Sequence, residues 1–183
     1  MKDLRISWKA IFKYGLVLSV LFTLLVLGSY MIEPMIWAAD FPKEVQEQIG
    51  EIPPEAIPKG WGVFVLIMGM CIVSPVLMNK SIFKKRQKKA TFLELLINGF
   101  LLLNVMNLFD LLVVDLLIFN QIKPDFMWIS GAEEYIQKFV TPQFHFLAFF
   151  KGLPWLLVTA MISAFISLVI NRKIKRAKAI SSN

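Results

Sequence analysis

"NVMNLFDLLVVDLLIF", residues 104–119, decides how this chain is read. Most of its residues and its flanks are Leu, Ile, Val, Met and Phe, yet it carries Asn104, Asn107, Asp110 and Asp115. At about 100° per residue on an α-helix, Asn104 and Asp115 fall within roughly 20° of each other. Asn107 then lies about 60° to one side and Asp110 about 120° to the same side, so the four share an arc of about 140°. One polar face on an otherwise apolar helix is expected to point away from lipid. A carboxylate facing hydrocarbon at mid-helix costs about 2.5–3.5 kcal/mol.

The rest of the chain supports a membrane setting. Its 183 residues are 57% hydrophobic and its mean hydropathy is positive, too apolar for an ordinary soluble domain. The formal net charge of +7 sits beside apolar runs rather than on an aromatic–basic platform. That placement argues for membrane topology and anionic lipid headgroups, and against nucleic acid as a partner. The single cysteine, Cys71, excludes an intramolecular disulfide and any CxxC site, and inside an apolar run it reads as a small buried hydrophobe. The single histidine, His145, excludes a multi-histidine metal site within one chain and a haem held by two of its own histidines.

Four segments are long enough to cross a hydrocarbon core of about 30 Å. They lie near residues 10–32, 61–78, 92–119 and 144–170, and in lipid each must be a helix to satisfy its own backbone. The first is too long for a signal peptide's apolar region, and "IWAAD" puts bulky Ile36 or Trp37 where a cleavage site wants a small residue. The fold class is therefore all-α: an integral membrane four-helix bundle forming a single domain over 1–183. Lys2, Arg5, Lys9 and Lys13 precede the first span, six basic residues fill 79–90 and five follow in 171–178. Those clusters hold 15 of the 20 basic residues, whereas the connections 33–60 and 120–143 hold nine carboxylates and four lysines. The positive-inside rule then puts both termini, the loop 79–91 and the tail 171–183 in the cytoplasm, in a multi-pass inner or plasma membrane protein.

Local signals fill in the frame. "KEVQEQIG" reads as a short amphipathic piece, and the prolines of "EIPPEAIPKGW" are expected to keep the chain extended before the second span. Trp37, Trp61 and Trp128 sit where an outer aromatic belt would be, and Trp8 where an inner one would be. Gly15, Ser19 and Thr23 form a stripe of small residues four apart, as do Thr159, Ser163 and Ser167, allowing close helix approach. Ser74-Pro75 predicts a kink. Glu94 reads as a solvated interfacial residue beside Lys88 and Lys89.

The polar face of the third span has a candidate partner. Lys151 is the only lysine inside any of these four segments away from the basic ends, and on an antiparallel fourth helix it falls at nearly the depth of Asp110 and Asp115. Asn104, Asn107, Asp110, Asp115, Glu133, Glu134, His145 and Lys151 together describe an outward-open polar pocket, with Glu33 near its rim. One reading pairs a buried Asp110 or Asp115 with Lys151 and makes the charges structural, in a regulatory or structural partner protein. A second makes the residues a site for a small polar ligand, a lipid headgroup or a cation, with a transporter component as one setting. Carboxylates and amides suit a hard cation, and His145 suits a transition metal, but the spacing matches no metal motif and leaves the metal and any cofactor undefined. A third gives His145 general acid/base work beside the acids, without a nucleophile elbow or HExxH to support it. The chain leans away from an enzyme. Its polar face can also be completed by a partner chain in a homo- or hetero-oligomer.

Two resemblances bear on this. "EEYIQK", 133–138, resembles the EExxxR motif of CAAX-type intramembrane proteases, but Lys138 replaces the arginine, one histidine cannot supply that family's histidine motifs, and four spans are too few. Over residues 90–160, "NLFDLLVVD", "GAEEY" and "HFLAFFKG" resemble a pattern in uncharacterised four-span membrane proteins of bacteria. That resemblance implies a four-span fold and no particular activity.

Overall fold

The computed structural model describes residues 6–85 and 91–181, with side chains for 6–83 and 91–172. It is all-helical, with no strand among the described residues. Helix α1 spans Trp8–Ile32, α2 Lys43–Ile49, α3 Ala56–Lys85, α4 Phe92–Phe109, α5 Glu133–Phe139 and α6 Pro142–Ser181. Tight 3-10 turns occupy Pro34–Asp40 and Asp125–Met127. Helix α4 runs on without a break through Asp110–Ile122, but with wider winding.

Four stretches are long and apolar enough to cross a membrane: Trp8–Ile32, Ala56–Phe83, Phe92–Ile122 and Pro142–Arg172. Much of their surface is apolar and uncovered; Leu24, Trp155 and Phe165 each expose more than 60% of their area. Exposed apolar side chains in such number are compatible with lipid. The second stretch starts five residues earlier than its sequence suggests. Pro58 falls in the first turn of α3, where its missing N–H has no partner in any case, so the prolines begin this helix rather than delay it. Pro142 begins α6 in the same way. Lys2, Arg5, Arg86, Lys88 and Lys89, on which the expected topology partly rests, lie outside the described residues, as do the side chains of Lys84, Lys85 and the basic tail beyond Arg172.

The chain divides into two compact units. The first comprises Met1–Leu18, Gly69–Met106 and Leu153–Asn183. A Cβ added to Gly15 would meet the Val105 side chain at 2.9 Å, so only glycine lets α1 lie this close to α4. Thr159, Ser163 and Ser167 are buried and return their hydroxyl protons to carbonyls four residues back, at 2.7–2.9 Å. Across to α3, Ser163 Oγ also lies 3.1 Å from the Ile72 carbonyl, and Asn79 Nδ2 donates to Ser167 Oγ at 3.1 Å. Cys71 is buried with its Sγ 3.9 Å from Met106 Sδ. Glu94 is a capping residue: Thr91 N donates to Glu94 Oε2 at 2.9 Å and Glu94 N to Thr91 Oγ1 at 3.2 Å, the reciprocal box that starts α4.

The second unit comprises Ser19–Met68 and Asn107–Gly152. Its core joins helix residues Val26, Tyr30, Val114 and Phe119 to residues of the two connections, among them Phe41, Val45, Met127 and Ile136. The connections are thus folded rather than extended. Helix α2 carries Val45 into the core, α5 carries Ile136, and Gln48 Nε2 reaches the Gly131 carbonyl at 3.3 Å. Gln46 Nε2 holds the preceding turn through the carbonyls of Ala39 and Phe41, at 3.0 and 2.7 Å.

Candidate functional site

The site is set by the winding of the helix after Phe109. Over Asp110–Ile122 the backbone bonds run from i to i+5; the last of them joins Lys123 N to Ile118 O at 2.8 Å, where Lys123 turns left-handed (φ 52°) and ends the helix. With this winding, residues five apart stack in successive turns, as residues four apart do in an α-helix. Asp110, Asp115 and Asn120 are five apart. The arc of about 140° that α-geometry would put between the two aspartates closes, and Asp110, Val114, Asp115 and Phe119 all line one cavity. Asn120 Nδ2 donates to the Asp115 carbonyl at 2.9 Å, a side-chain bond following the same five-residue step.

His145, in the first turns of α6, is the partner of this face. Its Nδ1 lies 3.1 Å from Asp115 Oδ1, with the imidazole 7% and the carboxylate 24% exposed. Phe119 and Phe144 meet the imidazole edge-to-face at 5.6 and 5.5 Å. A carboxylate at Nδ1 fixes a proton there, and in the tautomer that carries only this proton Nε2 is an acceptor. That Nε2 is buried and has no hydrogen-bond partner. Buried polar atoms are paired in all but a few instances, so this orphan, in a residue that lines a cavity, asks what completes it.

The cavity encloses about 230 Å³. Its walls carry the rings of Phe22, Tyr30, Trp37, Phe41, Phe119 and Phe144, and three carboxylates, Asp40, Asp110 and Asp115. Tyr30 stacks on Trp37 at 5.6 Å and 15°, and Trp37 Nε1 donates to Ser29 Oγ at 2.9 Å, which fixes both rings. Phe119 meets Tyr30, Phe41 and Trp128 as well as His145, at 5.8–6.3 Å for the first three, and so ties the walls together. Asp40 keeps an exposed surface while neighbouring atoms crowd its carboxyl; that loss of water raises its pKa above the ordinary carboxylate value. Neither Asp40 nor Asp110 forms an ion pair among the described residues, and no lysine or arginine lines the cavity.

Of the eight residues expected from the sequence to form the pocket, Asp110, Asp115 and His145 come together in it. Asn104 belongs to the first unit and donates to the Phe100 carbonyl of its own helix at 2.8 Å. Asn107 Nδ2 reaches the Phe149 carbonyl of α6 at 3.4 Å and lines no cavity wall. Glu133 and Glu134 open α5 without reaching the cavity, and Glu33 pairs with Lys59 at 3.5 Å. Lys151, expected to be buried against the aspartates, is exposed and forms no ion pair among the described residues. Its register explains this: six residues beyond His145 on an α-helix is about 120° away from the face that carries the imidazole. The residues the sequence reading missed are Tyr30, Trp37, Phe41 and Asp40, all from the end of α1 and the turn after it. Trp37, expected as an interfacial anchor, stacks on Tyr30. The five-residue spacing of Asp110, Asp115 and Asn120 was the one available sign of the wider winding.

Among the described residues, no three His, Cys, Asp or Glu side chains are placed to hold a metal ion. No family model, curated protein or solved structure matches the chain.

Proposed function

We propose that this chain is a multi-pass integral membrane protein, a four-helix bundle with both termini in the cytoplasm, whose cavity near His145 binds a small ligand from the outer side. The cytoplasmic placement rests on the charge asymmetry of the connections. The observation that carries the binding reading is the buried, partnerless Nε2 of His145, a residue that lines a cavity together with several aromatic side chains. Binding is favoured over catalysis because no serine, threonine or cysteine lines the cavity beside the His145–Asp115 pair. Such a site fits a ligand-capturing component, including the membrane subunit of a larger transporter.

A second cavity of about 550 Å³, lined by Trp8, Lys9, Lys13 and Tyr14, supports an additional contact with anionic lipid headgroups on the cytoplasmic side. Native mass spectrometry of protein released from mild detergent tests the principal reading. Wild type is expected to carry a small bound mass that His145→Ala loses. Identical spectra for the two would leave the His145–Asp115 pair with a packing role only.

A further inference from the structure

We infer that the ligand of this cavity is a small organic ammonium ion bearing at least one N–H. The inference rests on the binding reading above and adds the ligand's chemical class. Three lines of observation lead to it.

The first is charge. Three carboxylates line the cavity, and only Asp115 has a partner there, His145. The lysines of this unit are otherwise placed: Lys59 pairs with Glu33, Lys138 lies 5.1 Å from the Phe139 ring centre, and Lys43, Lys123 and Lys151 are exposed. Asp110 lies in a membrane-spanning helix, where an uncompensated carboxylate is costly, and with no lysine or arginine on the walls a bound cation supplies its countercharge.

The second is the wall chemistry. A hard metal cation takes six to eight oxygen ligands for Ca²⁺ and near-octahedral oxygen for Mg²⁺, and no three ligating side chains converge. Rings of Tyr30, Trp37 and Phe119 instead line the cavity, and aromatic quadrupoles attract an ammonium group spread over carbon and nitrogen.

The third is the orphaned imidazole. With Asp115 holding the Nδ1 proton, Nε2 needs a donor, and an ammonium N–H is one. His145 as a whole is 5% exposed. At about 230 Å³ the cavity is smaller than the usual 300–1,000 Å³ of drug-sized sites, which limits the ligand to a few heavy atoms beyond the ammonium nitrogen.

The test uses the full chain with Cys71→Ala and Val140→Cys, which places the single thiol at a buried position on the cavity wall. Cationic and anionic methanethiosulfonate reagents of matched size are compared, each rate divided by that reagent's rate with cysteine in solution. Focusing of cations by the carboxylates is expected to favour the cationic reagent at least about tenfold. That preference should shrink in Asp110→Asn, and in Asp40→Asn should Asp110→Asn fail to fold. Ethylammonium should slow labelling, tetramethylammonium should do so more weakly for want of an N–H, and neutral propanol should not. Equal normalised rates, or protection by propanol as good as by ethylammonium, overturn the ammonium assignment while leaving a ligand-accessible cavity. No labelling by either reagent overturns both the assignment and the binding reading.

Discussion

Removing Asp115 and His145 singly and together measures whether their contact is an energetic pair or a mere neighbourhood. The 3.1 Å Nδ1–Oδ1 contact joins an almost fully buried imidazole to a carboxylate that is 24% exposed. Hydrogen bonds to charged groups contribute about 1.5–3 kcal/mol; partial exposure of the carboxylate places this one at the lower end. Asp115→Ala leaves both imidazole nitrogens buried without partners, since Nε2 already has none, and is expected to cost about 2–3 kcal/mol. His145→Ala loses the same bond together with the ring contacts to Phe119 and Phe144, and each such pair is worth about 0.5–1.5 kcal/mol. The double variant should therefore cost about 1.5–2 kcal/mol less than the sum of the two single ones. Equilibrium unfolding of all four proteins in mixed micelles provides the four free energies. A coupling below about 0.5 kcal/mol, the ordinary error of additivity, would refute the pairing and with it the assignment of Nε2 as the open acceptor.

Three further outcomes follow from particular contacts. Phe119→Ala should destabilise the chain by about 3–5 kcal/mol, because it empties a buried position that touches four other rings; a loss under 1 kcal/mol in the same micelle assay would contradict that hub. Asn79→Ala should cost roughly 0.6–1.7 kcal/mol, the range of interhelical hydrogen bonds in membranes, and Ser167→Ala in the same background should then add little. The pH dependence concerns Asp40. Crowding raises its folded-state pKa above the unfolded value, so between those two values the folded chain binds more protons than the unfolded one. Stability therefore falls as pH rises across that window and stays lower above it. Asp40→Asn should flatten this part of the stability–pH profile, and an unchanged slope would show that the carboxyl is not desolvated.

The span count, the helical class and the small-residue stripes were legible in the sequence because each depends on local information. A run of twenty apolar residues means the same thing whatever surrounds it, and serines and threonines four apart line up on any α-helix. Asn104 shows the limit of such reasoning. Counted onto a polar face, it satisfies itself on the carbonyl four residues back and needs no neighbour.

The sequence by itself determined that Asp110, Asp115 and His145 sit within apolar helices, where unpartnered polar groups are costly. Only the tertiary structure decided which of them meet. The wider winding after Phe109 brings two aspartates five residues apart onto one wall, an outcome no fixed 100° step can produce. The register of α6 turns His145 toward that wall and Lys151 away from it. One further wall comes from Phe22, Val26, Tyr30, Trp37, Asp40 and Phe41, more than sixty residues earlier in the chain. Their convergence is a property of packing, because apolar and aromatic contacts carry no directional code that spacing along the chain could reveal.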